Sequence, residues 1–228
     1  MKSQGRCEVV LLRHAHSTAN EKGILAGRDN SVGLSDKGLL QAEAVAELLA
    51  SERFDGIYVS DLTRCRQTVA PLLKKLRTKV TKSQSGARQT LTKAVIEMDY
   101  GTWTGKKLAV LSKRPLWQEI QRRPSTVRFP DGESFLEMSL RANQAVTSFA
   151  EGKKRILIVS HGDVIKSILA HHMGLSLDNF QRLTVDPASI SIIALPQSHI
   201  VTMNSTSHLE AKKGVRSHET LGGGAGVI

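Results

Sequence analysis

The apolar residues of this chain come in short unbroken runs rather than in strict alternation. Val9-Val10-Leu11-Leu12 stops at Arg13-His14, Ile156-Leu157-Ile158-Val159 stops at Ser160-His161, and Ile57-Tyr58-Val59 runs into Ser60-Asp61. Short aliphatic runs rich in β-branched residues predict strands buried on both faces, the kind found in parallel α/β sheets. Ligands of such sheets bind at the carboxyl ends of the strands. Arg13, His14 and His161, together with Arg64 just beyond the third run, are therefore aimed at one sheet edge.

Helical spacing fills the intervals. Ser35 is the expected N-cap of a helix with Asp36 in its first turn, Leu34 and Leu39 as a hydrophobic staple, and Leu39, Ala42, Ala46 and Leu49 as its apolar face. A second helix is expected over about 61–76. The polar stretch 78–90 reads as a loop with room for one short strand. Segment 97–130, punctuated by Gly101, Gly105 and prolines 115, 124 and 130, is expected to form a small cap with short helices near 108–112 and 116–121. A long helix over 133–150 is expected to turn Phe135, Leu136, Leu140, Val146 and Phe149 inward. Another over 163–173 stops at Gly174, and strands are predicted near 189–195 and 199–203. The polar, finally Gly-rich stretch 205–228 reads as a disordered tail. Residues 1–204 then make a single α/β domain.

Length and charge narrow the class. A chain of 228 residues with 40% hydrophobic content can bury a full core. Cys7 and Cys65 form no C-x-x-C motif and read as packing residues of a reducing compartment. Met1 to Arg6 is polar, no stretch resembles a signal peptide, and none approaches the roughly 20 apolar residues of a membrane span. A soluble cytoplasmic protein is expected, with no membrane partner. The net charge of +11 is concentrated in residues 62–128, which hold 16 Lys or Arg against Glu97, Asp99 and Glu119. That suits an anionic substrate or nucleic acid, but aromatics are only 4% and no base-reading module is present, so nucleic acid is not the expected partner.

Two His and two Arg make a site for a dianion, because guanidinium groups grip phosphate oxygens as a fork and keep their charge. A neutral imidazole among them can attack phosphorus, with Arg13, Arg64 and His161 neutralising the equatorial oxygens and backbone amides near Gly162 helping at a helix start. The leaving alkoxide needs a proton. Glu97, after the apolar Ala94-Val95-Ile96, is the best donor, since burial raises a carboxyl pKa. Two rivals remain on residues alone. His14-Ala15-His16 with Asp163 suits a metal-dependent hydrolase, although Arg13 and Arg64 repel a dication. The basic middle suits a non-catalytic polyanion binder, which leaves the set of His14, His161 and Glu97 unexplained. Arg66, Trp103, Lys106 and Arg128 are assigned to packing or solvent, as are His171 and His172.

Four blocks carry a family resemblance. Leu12-Arg13-His14-Ala15-His16-Ser17 resembles the R-H-G signature of the histidine phosphatase superfamily, the phosphoglycerate-mutase-like enzymes. Ser60-Asp61-Leu62-Thr63-Arg64-Cys65-Arg66-Gln67-Thr68 is similar to its S-x-L-x-R-x-x-x-T block. Glu97-Met98-Asp99-Tyr100-Gly101-Thr102-Trp103-Thr104-Gly105 is similar to E-x-x-x-G-x-W-x-G, and Val159-Ser160-His161-Gly162 to its last block. Phe129-Pro130-Asp131-Gly132-Glu133-Ser134 resembles P-G-G-E-S. The resemblance implies a three-layer sandwich with a mostly parallel central sheet flanked by helices. It also implies a phosphohistidine on His14 without metal or cofactor, a phosphate pocket of Arg13, Arg64, His161 and Gly162, and Glu97 as acid and base. Ser17 and Asn20 match loop positions that touch phosphate or substrate in the family. Ala15 stands where the family has Gly, restricting the backbone beside the nucleophile. The short Glu97–His161 interval, with Arg122-Arg123 in place of a long arginine-rich insertion, favours hydrolysis of a small phosphorylated metabolite over a phosphomutase. Oligomeric state is left open, a dimer included.

Overall fold

The computed structural model describes residues 5–79 and 89–210. Six strands form one sheet: β1 (Cys7–Arg13), β2 (Gly56–Ser60), β3 (Gln89–Thr92), β4 (Arg155–Ser160), β5 (Ile190–Leu195) and β6 (His199–Ser205), in the order β3-β2-β4-β1-β5-β6. The first four positions are mutually parallel, and β5 and β6 add antiparallel strands at the other edge. This is the mostly parallel, helix-flanked sheet that the sequence predicts.

The apolar runs are unbroken because each strand feeds two cores. Val9 and Leu11 of β1 with Ile156 and Ile158 of β4 face one layer, which holds α6 (Phe135–Ala150) and α7 (Gly162–His172). Val10, Leu12, Leu157 and Val159 face the other, with α2 (Asp36–Leu49) and α3 (Thr63–Lys79). Each fully buried Val, Leu or Ile contributes about 1.5–3 kcal/mol. That reserve offsets the several kcal/mol that an interior charge costs.

Helix ends follow the sequence closely. Ser35 caps α2 through the Gly38 N–H, and Ser134 with Glu137 forms a capping box on α6. Gly174, at φ +68°, follows the C-cap of α7. Two predicted helix faces need correction. Leu39 is half exposed and lies off the core face, since α2 packs through Gly38, Ala42, Val45, Ala46 and Leu49. Gly38 makes this possible: a Cβ there would stand 1.9 Å from the His16 carbonyl oxygen, so only Gly lets α2 lie against the loop after His14. On α6, Leu136 and Leu140 point to solvent, while Phe135, Met138, Ala142, Ala145 and Val146 face the core. The helix carries two apolar stripes about 150° apart, and the wider one packs.

The remaining elements are short. α1 (Thr18–Glu21) opens the loop after β1; α4 (Leu108–Leu111) and α5 (Pro115–Arg122) lie within 97–130. Backbone bonds join that segment to the loop after the first strand, with Leu25 N–H donating to Lys106 O and Leu108 N–H to Gly23 O. The α3 helix runs three residues past its expected end, and β3 starts at Gln89. At the carboxyl end, β6 reaches Ser205 and α8 (Ser207–Glu210) follows, with Leu209 packed on the α2 layer. The disorder expected from 205 is therefore corrected for 205–210, where Leu209 finds apolar partners. Residues 211–228, the rest of that expectation, lie outside the described residues. Among the described residues no helix is long and apolar enough to cross a membrane.

Candidate active site

Strand register builds the centre. β4 is inserted between β1 and β2, pairing Arg13 with Ser160, so the next residues, His14 and His161, emerge side by side. Their rings meet edge to face, 5.2 Å between centroids. The chain leaves β1 and β2 toward the α2–α3 layer but leaves β4 toward the α6–α7 layer, which opens the crevice in which α/β sheets bind ligands.

His14 is buried, and its Nδ1–H donates to the Ala15 carbonyl at 2.8 Å, leaving Nε2 with the lone pair. Burial, followed by the Arg64 and Arg13 guanidinium groups, pushes this imidazole well below its ordinary pKa, so it is neutral. His161 is held neutral in the same way, burial first and Arg64 second. Its Nδ1 accepts from Arg64 Nη2 at 3.2 Å, which puts its proton on Nε2, donating to Ser60 Oγ at 2.8 Å.

Arg64 is only 1% exposed and is held by the loop after β1. Its Nη2 donates to Gly27 O at 2.7 Å and its Nη1 to Asp29 O at 3.3 Å. Arg13 Nη1 donates to the Val185 carbonyl, and its Cζ would lie 3.3 Å from a Cβ at position 162, so Gly162 lets the guanidinium lie on the start of α7. The Nε–H groups of Arg13 and Arg64 are buried without a partner among the described residues.

Glu97 comes from the irregular segment after β3. Its Oε1 accepts from Met98 N–H at 2.9 Å and its Oε2 lies 3.8 Å from His161 Nδ1. The pKa is pushed up to about 7, by burial first and the Asp163 carboxylate second, against Arg64, the Met98 amide and Arg13. Its carboxyl can therefore give up a proton and take one back near neutrality.

Of the other expected residues, Ser17 and Asn20 form the capping box of α1, with Ser17 Oγ donating to Asn20 Oδ1 at 2.8 Å. Ala15 is buried without a positive φ, and its N–H donates to Thr68 Oγ1 at 2.9 Å, so the methyl costs no backbone strain. His16 turns to Ser35 Oγ and Asp163 accepts from Tyr100, so the H-x-H pair and Asp163 do not converge. Cys65, its thiol pushed up to about 12 by burial, is a packing residue. Trp103 is core; Arg128 pairs with Glu137.

The sequence reading assigned no role to several residues that shape this site. Ser60 and Thr68 stood inside a recognised block, and Thr68 links Ala15 N–H to the Arg64 carbonyl. Arg28 and Arg141 carried no signal, because the Glu97 carbonyl that both hold lies 69 and 44 positions away from them.

Known proteins resemble this chain over most of its length. The pattern of the histidine phosphatase superfamily (branch 1) matches residues 9–206. Phosphoserine phosphatase 1 of Hydrogenobacter thermophilus is 29% identical over 213 residues, 89% of this chain and 94% of that one. A probable phosphoglycerate mutase of Citrobacter koseri, GpmB, is 29% identical over 215 residues, 90% and 95% of the two chains. Among solved structures, Bacillus stearothermophilus YhfR aligns with a TM-score of 0.78 at 24% identity, over 90% of this chain and all of that one. A phosphoserine phosphatase from Entamoeba histolytica, solved with 3-phosphoglyceric acid, aligns at 0.75 and 22% identity, over 89% and 99% of the two chains. Those two likenesses establish the fold, while the match over residues 9–206 establishes the lineage. This chain is an enzyme of the histidine phosphatase superfamily, branch 1.

Proposed function

We propose that the enzyme hydrolyses a small phosphomonoester through a phosphohistidine on His14, without a metal. The observation that carries this is the neutral, buried His14, with Nδ1–H fixed on a carbonyl and Nε2 free, beside two guanidinium groups and a carboxyl whose pKa is about 7. Nε2 attacks phosphorus and the bond to the ester oxygen breaks. Glu97 gives its proton to that oxygen and the alcohol departs. The imidazolium formed keeps its Nδ1–H on the Ala15 carbonyl. Arg13 and Arg64 neutralise the phosphoryl oxygens, using N–H groups that no atom of the described chain satisfies. A dianion beside His161 favours its protonation, and Nδ1 then donates as well. Glu97, now ionised, takes a proton from water, which attacks phosphorus and breaks the P–N bond.

Segment 97–130 serves as the cap in this reading, and Gly162 brings α7 amides to the phosphate. Phosphoserine and 3-phosphoglycerate head the substrate panel because relatives are named for these chemistries. The test combines released phosphate from that panel, His14→Ala as the blank, with an alkaline quench that traps phosphohistidine. Phosphate release with a trapped intermediate is expected. Efficient isomerisation of 3-phosphoglycerate without released phosphate would instead favour the mutase chemistry that the GpmB likeness suggests.

A further inference from the structure

We infer that Arg28, acting with Arg141 and Glu133, is a positioning residue that aims the Glu97 carboxyl at the leaving oxygen. The inference rests on Glu97 being the proton donor. Glu97 stands on a stretch that belongs to no strand or helix, so no ladder of backbone bonds fixes it. Its carbonyl oxygen instead accepts two guanidinium N–H groups, from Arg28 Nε at 2.9 Å and Arg141 Nη2 at 3.2 Å. Arg141 Nη1 holds Ala94 O, three residues upstream, at 3.1 Å.

Both guanidinium groups are tied to one carboxylate. Glu133 accepts from Arg28 Nη2 at 3.0 Å and from Arg141 Nε at 2.7 Å, and its own N–H donates to Asp99 O. Asp99 Oδ2 takes the remaining Arg28 amino group at 3.1 Å. Each rigid fork is thus filled, and the segment before and after Glu97 is clamped. Because Asp99 and Glu133 together balance the charges of Arg28 and Arg141, the clamp holds the backbone without adding an unbalanced cation beside the acid.

Arg28 also joins the two halves of the reaction. The carbonyls on either side of it, Gly27 and Asp29, are the ones that hold Arg64. One turn of chain therefore grips the phosphate clamp by its backbone and the acid's segment by its side chain. Displacing a reacting group by about 1 Å can cost on the order of 100-fold.

Leaving-group chemistry tests this. A nitrophenolate departs without a proton, whereas an alkoxide needs one, so a misaimed Glu97 slows only the second. The first turnover of the full-length enzyme is measured with p-nitrophenyl phosphate and with an alkyl phosphomonoester, for Arg28→Met, Arg28→Lys and Glu97→Gln, beside their thermal midpoints. Arg28→Met is expected to lose about 10- to 100-fold on the alkyl ester and less than about twofold on the aryl ester. Arg28→Lys, which keeps charge but not the fork, is expected to show the same contrast at smaller size, and it decides the matter if the Met variant fails to fold. Equal losses on both esters, or none on either, overturn the positioning role while Glu97→Gln still shows the contrast. If Glu97→Gln shows no contrast, the proton-donor reading falls and takes this inference with it.

Discussion

The two histidines and the glutamate reach the same pocket by different supports. His14 and His161 ride on adjacent parallel strands in fixed register, so their separation is set by the β-ladder and by two packed cores. Glu97 rides on an irregular stretch whose place is set by arginine side chains and one partly buried carboxylate. A ladder shares its load over many bonds, while a side-chain clamp rests on a few charge-assisted ones. The phosphate side should therefore tolerate changes around it better than the proton-donating side.

Removing the nucleophile is the largest way to press that contrast. His14→Ala is expected to reduce phosphate release by about 10⁴-fold or more with an unchanged circular-dichroism spectrum, because the strands do not depend on the ring. Next, Arg64→Met should cost about 10²–10³-fold in kcat/KM, as removal of a transition-state donor does. It should also lower the melting temperature, since the Gly27 and Asp29 carbonyls lose their donors.

The Glu97 side has a pH signature. In the proposed role of acid it works while protonated, and its pKa is pushed up to about 7. The first turnover on an alkyl ester should hold level below about pH 7 and fall above it, whereas His14, neutral far into the acid range, imposes no limb of its own near neutrality. Glu97→Gln should abolish that fall and lower the plateau by about 10²-fold or more. Asp163→Asn should move the fall to lower pH, since the Asp163 charge helps hold the proton on Glu97. A fall that stays in place with Asp163→Asn would detach Asp163 from the acid. The smallest effect belongs to Ala15→Gly: a loss of about 0.5–1 kcal/mol by chemical denaturation, from the freer unfolded chain, with activity kept.

How far the sequence could be read depended on the range of the interactions. The strand ends at Arg13, Ser60 and Ser160 were legible because burial on both faces forces unbroken apolar runs, and the cap at Ser35 because capping is local. The α6 face was not, since Leu136 and Leu140 offer a second stripe and only the neighbouring layer chooses between them. Ser17 and Asn20 satisfy each other in a capping box, a pairing the spacing allowed but the loop-contact expectation did not use. Arg28 and Arg141 look like any surface arginine in one dimension.

By itself, the sequence determined that strands would end in Arg13-His14 and Ser160-His161 and that a carboxyl would follow Val95-Ile96, because hydrophobic patterning and turn chemistry act between near neighbours. Insertion of β4 between β1 and β2, the neutral state of both imidazoles, the raised pKa of Glu97 and the arginine clamp beneath it were decided only by the tertiary structure. Each depends on burial and charge supplied by residues far away in the chain, and those have no local signature.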